Sequence, residues 1–143
     1  MKRRKAREHA LQILFQLDVR QDKPSSVILK HFWTEYNPDE DIKAFAEAIV
    51  KGTYKHLAGI DELIRRCAKN WSLDRMAVVD RNVLRMAVYE ILYRMEIPTS
   101  VTINEAIEIA KKFGTDESGA FVNGILDRVA RESGKLEEGK IED

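Results

Sequence analysis

The stretch Met76-Ala77-Val78-Val79-Asp80-Arg81-Asn82-Val83-Leu84-Arg85-Met86-Ala87-Val88-Tyr89-Glu90-Ile91-Leu92 decides the fold. Wound at about 3.6 residues per turn, its apolar side chains cover most directions around the axis. A helix that is apolar almost all round belongs in the middle of a protein. The stretch therefore predicts a central helix over about 74–95, wrapped by others.

Working outward, helical spacing recurs and no run alternates apolar and polar residues long enough to make a strand. The remaining helices are predicted over about 3–20, 25–36, 39–56, 59–70, 101–113 and 117–132. The fold class is all-α, with about seven helices and short connections. In the first helix Ala6, Ala10, Ile13, Leu14 and Leu17 form one core-facing stripe, and Phe15 points nearly the opposite way. Asp39, Glu40 and Asp41 after Pro38 suit a solvated helix start, where acids complement the dipole. Thr102 and Glu105 have the spacing of a capping box, and Gly114 can take a left-handed cap at the end of the same helix.

The 143 residues suit a single domain, 1–143, with 134–143 expected to be a frayed acidic tail. Lys plus Arg balance Asp plus Glu at 24 each, which excludes a basic surface spread over the whole molecule. Cys67 is the only cysteine, so no intrachain disulfide forms and a reducing compartment, the cytoplasm, is expected. Charges interrupt the apolar positions too often for a signal sequence or a membrane span.

Charge distribution says more than its sum. Lys2, Arg3, Arg4, Lys5 and Arg7 crowd the first helical turns, while Glu137, Glu138, Glu142 and Asp143 close the chain. Cations at a helix N-terminus oppose the dipole. The cluster is either a solvated tail or a phosphate-binding end, and five phosphate contacts would give a single-strand salt slope of about −3.5. Single-stranded RNA is read by stacking and by base-edge hydrogen bonds, which directs attention to Ser118-Gly119-Ala120-Phe121-Val122-Asn123-Gly124. Phe121 lies off the core stripe of its helix. Gly124 faces away from that stripe and is either a tolerated glycine or a point of close approach by a backbone or ligand.

Phe15 is either covered by a second helix layer or kept for a partner. Asp80 and Arg81, charges within the apolar stretch, are either internally paired or part of a docking surface. Catalytic readings find little support. His9, His31 and His56 lack companion ligands at metal spacing, Cys67 shares the core stripe of Ile60, Leu63 and Ile64, and no nucleotide or hydrolase motif occurs. No catalytic residue, metal or cofactor is expected.

Arg4 to Phe15, Val79 to Leu92, Ile97-Pro98, Ile103 to Gly114 and Phe121 to Asp127, taken in this order across nearly the whole chain, resemble the NusB family of antitermination factors. The resemblance implies two small helical bundles sharing a core. It implies binding of single-stranded boxA RNA in nascent ribosomal transcripts, as a heterodimer with the ribosomal protein NusE and within an RNA polymerase antitermination complex. By position, Lys2, Arg3, Arg4, Lys5 and Arg7 would hold the RNA backbone, with Gln12, Gln16, Ser118, Phe121 and Asn123 completing the RNA surface. Phe15, Asp80, Arg81 and Leu84 would face the partner protein. Two other readings stand beside this one: a helical interaction or dimerisation module that never touches RNA, and a detached RNA-binding module related to RNA cytosine methyltransferases.

Overall fold

The central stretch becomes the helix around which everything else packs. In a computed structural model that describes residues 2–135, the helices are α1 (Lys2–Arg20), α2 (Ser26–Glu35), α3 (Glu40–Lys55), α4 (Leu57–Cys67), α5 (Val78–Tyr93), α6 (Thr99–Phe113) and α7 (Ser118–Glu132). Val83, Leu84, Met86, Ala87, Val88 and Ile91 of α5 are all buried. The helix meets α1, α3, α4, α6 and α7.

Helices α1 to α3 make one small bundle and α4 to α7 the second. A single continuous apolar cluster runs through both, from Ala6 of α1 to Ala130 of α7. Helix α2 joins the first bundle by its aromatic face. Phe32 and Trp33 are buried, the ring of His9 lies 5.5 Å from that of Trp33, and the Trp33 indole donates to Glu47 of α3 at 2.7 Å. Ser25 caps α2, its hydroxyl accepting from the Ile28 amide at 3.2 Å.

Three local expectations are corrected. The central helix begins at Val78, not near residue 74, because Leu73–Arg75 form a separate 3-10 turn whose Leu73 and Met76 side chains turn into the core. Helix α6 begins at Thr99, so Thr102 and Glu105 form no capping box. The Thr102 hydroxyl donates instead to Glu90 of α5 at 2.9 Å, and Glu105 pairs with Arg4 of α1. Gly114 has φ −102°, which is not left-handed. A side chain there would collide with the Ala110 carbonyl and Ser118, so close approach explains this glycine.

Candidate nucleic-acid interface

The basic end of α1 is largely answered from within the protein. Its first turn holds no acid, yet carboxylates from three other helices reach it. Arg7 is 4% exposed and donates to Glu90 through Nε at 2.7 Å and Nη2 at 2.8 Å. Arg4 makes a two-point pair with Glu105, with Nη2 at 2.7 Å from Oε2. That pairing, opposed by partial burial, holds the Glu105 carboxyl below its ordinary pKa. Lys2, well exposed, lies 3.3 Å from Asp39 and 3.5 Å from Asp41 at the start of α3, so those acids are bridged as well as solvated.

The expectation of five free cations is therefore corrected at Arg7, which is buried with its charge met, and reduced at Arg4 and Lys2. Arg3 and Lys5 remain exposed without a carboxylate partner among the described residues. Arg3 lies over the Phe45 ring, its guanidinium carbon 4.7 Å from the centroid. Helix α6 continues the charged surface: exposed Lys112 reaches Glu8 of α1 at 3.1 Å and Lys111 pairs with Glu108. Neither lysine stood out in the sequence, since both sit among acids at helical spacing.

Helix α6 also carries the surface to α7, whose buried Gly119 packs on Lys111 and Ile107. Asn123 is exposed and Phe121 half-buried. Ser118 is buried, its hydroxyl accepting from the Thr115 amide at 2.9 Å, which corrects its assignment to the RNA surface. Trp71, 57% exposed, meets Phe121 edge to face at 5.4 Å between centroids. Sequence reasoning missed it, although a tryptophan between Asn70 and Ser72, past the core stripe of α4, was a signal.

A Cβ added to Gly124 would meet nothing within 4 Å, so among the described residues no backbone outside its own helix approaches it closely. Gly124→Ala should consequently raise stability by about 0.4–1 kcal/mol through helix propensity and lower unfolded-state entropy. Chemical denaturation of the two proteins checks this; a loss of stability would mean the position is crowded.

The proposed partner residues divide. Phe15 is 37% exposed and, with Leu11, Gln12, Gln16, Tyr36, Val79 and Phe113, lines a hollow of about 370 Å³. Gln12 and Gln16, expected on the RNA surface, thus flank the same hollow as Phe15. Asp80 stands next to Val79 in the first turn of α5, and its enclosed Oδ1 has no hydrogen-bond partner among the described residues. Leu84 is fully buried and cannot meet a partner, because it lies on the core face of α5. Arg81 is internally committed, donating to Asp18 at 2.9 Å and to the Leu73 carbonyl at 3.1 Å.

Asp18 also accepts from Asn82 at 2.8 Å and from Arg85 at 3.3 Å. Burial raises its pKa, but the hydrogen bonds from Arg81 and Asn82 and the charges of Arg81 and Arg85 outweigh burial and hold the carboxyl below its ordinary 3.8. A depressed carboxylate contributes stability that is present above the unfolded pKa and lost as pH falls through the folded one. Asp18→Asn should therefore destabilise the chain at neutral pH, with the difference shrinking between about pH 5 and pH 2. Urea titrations across that range check this; a difference independent of pH would contradict it.

Cys67 is buried, and burial followed by the neighbouring Glu132 charge pushes its thiol up, which makes it a poor nucleophile. Among the described residues no group of three or more His, Cys, Asp or Glu is placed to hold a metal, and no helix is long and apolar enough to cross a membrane.

The family model for NusB matches residues 4–131. The chain is 47% identical over 142 residues to the transcription antitermination protein NusB of Thermodesulfovibrio yellowstonii, covering 92% of this chain and 93% of that one. It is 50% identical over 139 residues to the protein of the same name from Desulfitobacterium hafniense, covering 96% and 94%. Among solved structures, T. maritima NusB superposes with a TM-score of 0.83 at 48% identity, covering 91% of each chain. A crystal structure of the antitermination factors NusB and NusE in complex with double-stranded RNA also matches. Its TM-score is 0.83 at 27% identity, over 92% of this chain and 97% of that one.

Proposed function

This chain belongs to the NusB family, and from that premise we propose that it is an RNA-binding transcription antitermination factor. It binds the boxA element of nascent ribosomal RNA together with NusE and promotes read-through by RNA polymerase. The observation that carries this reading is the superposition, over nearly the whole chain, on a NusB seen together with NusE and RNA. The protein acts in the cytoplasm and by assembly rather than catalysis, as one RNA-binding domain.

The exposed cations divide the labour with the aromatic surface. Arg3 and Lys5, with the half-committed Lys2 and Arg4, contact phosphates and fix the register of the RNA. Phe121 and Asn123 of α7 supply stacking and base-edge contacts. The partner seats on the hollow around Phe15, beside the first turn of α5 that carries Asp80.

Internal pairing lowers the number of phosphate contacts expected from charge counting. The single-strand salt slope should be about −2 to −3, and the double substitution Arg3→Ala with Lys5→Ala should reduce its size by about 1.4. Fluorescence anisotropy with a boxA-type RNA over a salt series measures both quantities. An unchanged slope in the double variant would remove the basic end of α1 from the RNA interface.

A further inference from the structure

Lys69, Asn70, Trp71, Ala120, Phe121, Gly124, Ile125 and Arg128 enclose a hollow of about 270 Å³ between the end of α4 and the outer face of α7. Each part of it has a local cause. The chain turns sharply after α4, with the Trp71 amide donating to the Ala68 carbonyl at 3.0 Å, and this throws the indole outward. The edge-to-face contact with Phe121, at an interplanar angle of 83°, fixes the indole's orientation while leaving it more than half exposed. Gly124 lines the hollow without adding a side chain to its wall.

The chemistry around the ring is one-sided. Lys69 and Arg128 stand on the rim and, among the described residues, no carboxylate lines the hollow. Arg128 is steadied by one hydrogen bond, from Nη1 to the Cys67 carbonyl at 2.6 Å, which leaves its other donors available to a ligand. The Asn70 carboxamide offers both a donor and an acceptor. The volume falls below the about 300–1,000 Å³ of drug-sized ligand sites. A fixed aromatic plane, two cations and one amide in so small a space suit a single unpaired base with its phosphate.

We propose that Trp71, with Lys69, Asn70 and Arg128, forms a stacking site for an unpaired base of the RNA, adjoining Phe121. The inference rests on the RNA-binding reading and adds to it a base position that the basic end of α1 does not supply. Charge favours RNA over a protein here, since two cations beside an aromatic complement a phosphate chain.

The test uses the full chain and a single-stranded boxA-type RNA, with Trp71→Ala, Trp71→Phe and the Arg3→Ala, Lys5→Ala double variant measured in parallel. Trp71→Ala should weaken RNA binding by about 5- to 150-fold, the range for losing one base–aromatic stack. Trp71→Phe should recover most of it. Replacing one nucleotide by an abasic residue should weaken binding to the unsubstituted protein at a single position and leave Trp71→Ala unaffected there. Trp71→Ala binding within twofold of the unsubstituted protein, while the double variant is weakened, would overturn the stacking site alone. If Trp71→Ala instead weakened NusE binding without affecting RNA, the hollow would be a protein contact and the proposal overturned. No binding of the unsubstituted chain to any RNA would bring down the functional reading and this site together.

Discussion

Glu90→Ala should lower the free energy of unfolding by about 3–5 kcal/mol, the cost of leaving a buried charge without its partner. Glu90 is 1% exposed and answers both Arg7 of α1 and Thr102 of α6. Its removal leaves a guanidinium that is itself almost wholly buried with only the longer contact to Glu105, 3.8 Å from Nη1, at the point where the two bundles join. The Coulombic gain of the intact pair is offset by desolvation of both ions, so the pair contributes little net stability although breaking it is costly. The double substitution Arg7→Met with Glu90→Leu should accordingly recover most of the loss. Urea denaturation of the three proteins decides the matter. A loss under about 1 kcal/mol for Glu90→Ala, well below that range, would mean that Arg7 finds another partner or reaches water.

Phe15→Asp should weaken NusE binding at least about 30-fold, corresponding to about 2 kcal/mol, the threshold of an interface hot spot. Phe15 is one of three aromatics, with Tyr36 and Phe113, that line the hollow, together with Leu11, Gln12, Gln16 and Val79. An aspartate there removes the apolar anchor and places a charge in a hollow lined by Leu11, Tyr36, Val79 and Phe113. The side chain is more than a third exposed in the free protein, so the variant should fold, which thermal unfolding verifies. Calorimetric titration with purified NusE gives the affinity. Binding within threefold of the unsubstituted chain would place the partner on another surface.

The centre of the fold was readable because the evidence for it is local. An apolar surface over most sides of α5 admits one position, and the stripe of α1 follows from spacing alone. What escaped the sequence is long-range. Arg7 looks like one more cation in a basic run until Glu90, 83 residues away, is seen beside it. Thr102 and Glu105 have the spacing of a helix start, but α6 begins a turn earlier and both side chains are drawn to α1 and α5.

The candidate site divides along the same line. Phe15 and Phe121 keep accessible surface because each lies off a core stripe, which periodicity detects, whereas Asn123, also exposed, was implied by the resemblance alone. Leu84 and Ser118, assigned by resemblance of position, are buried, Leu84 in the core and Ser118 at the start of α7 where its hydroxyl meets the Thr115 amide. Trp71 belongs to no periodic segment. Only folding brings it against Phe121, 50 positions on in the chain.

The most direct test is the affinity of this protein for a boxA-type single-stranded RNA, a scrambled control and a duplex, each with and without purified NusE at several salt concentrations. The account predicts preference for boxA, tighter binding when NusE is present, an equal tightening of NusE binding by RNA as linkage requires, and weakening by salt. Equal affinities for boxA and scrambled RNA, or no effect of NusE on either, would contradict it.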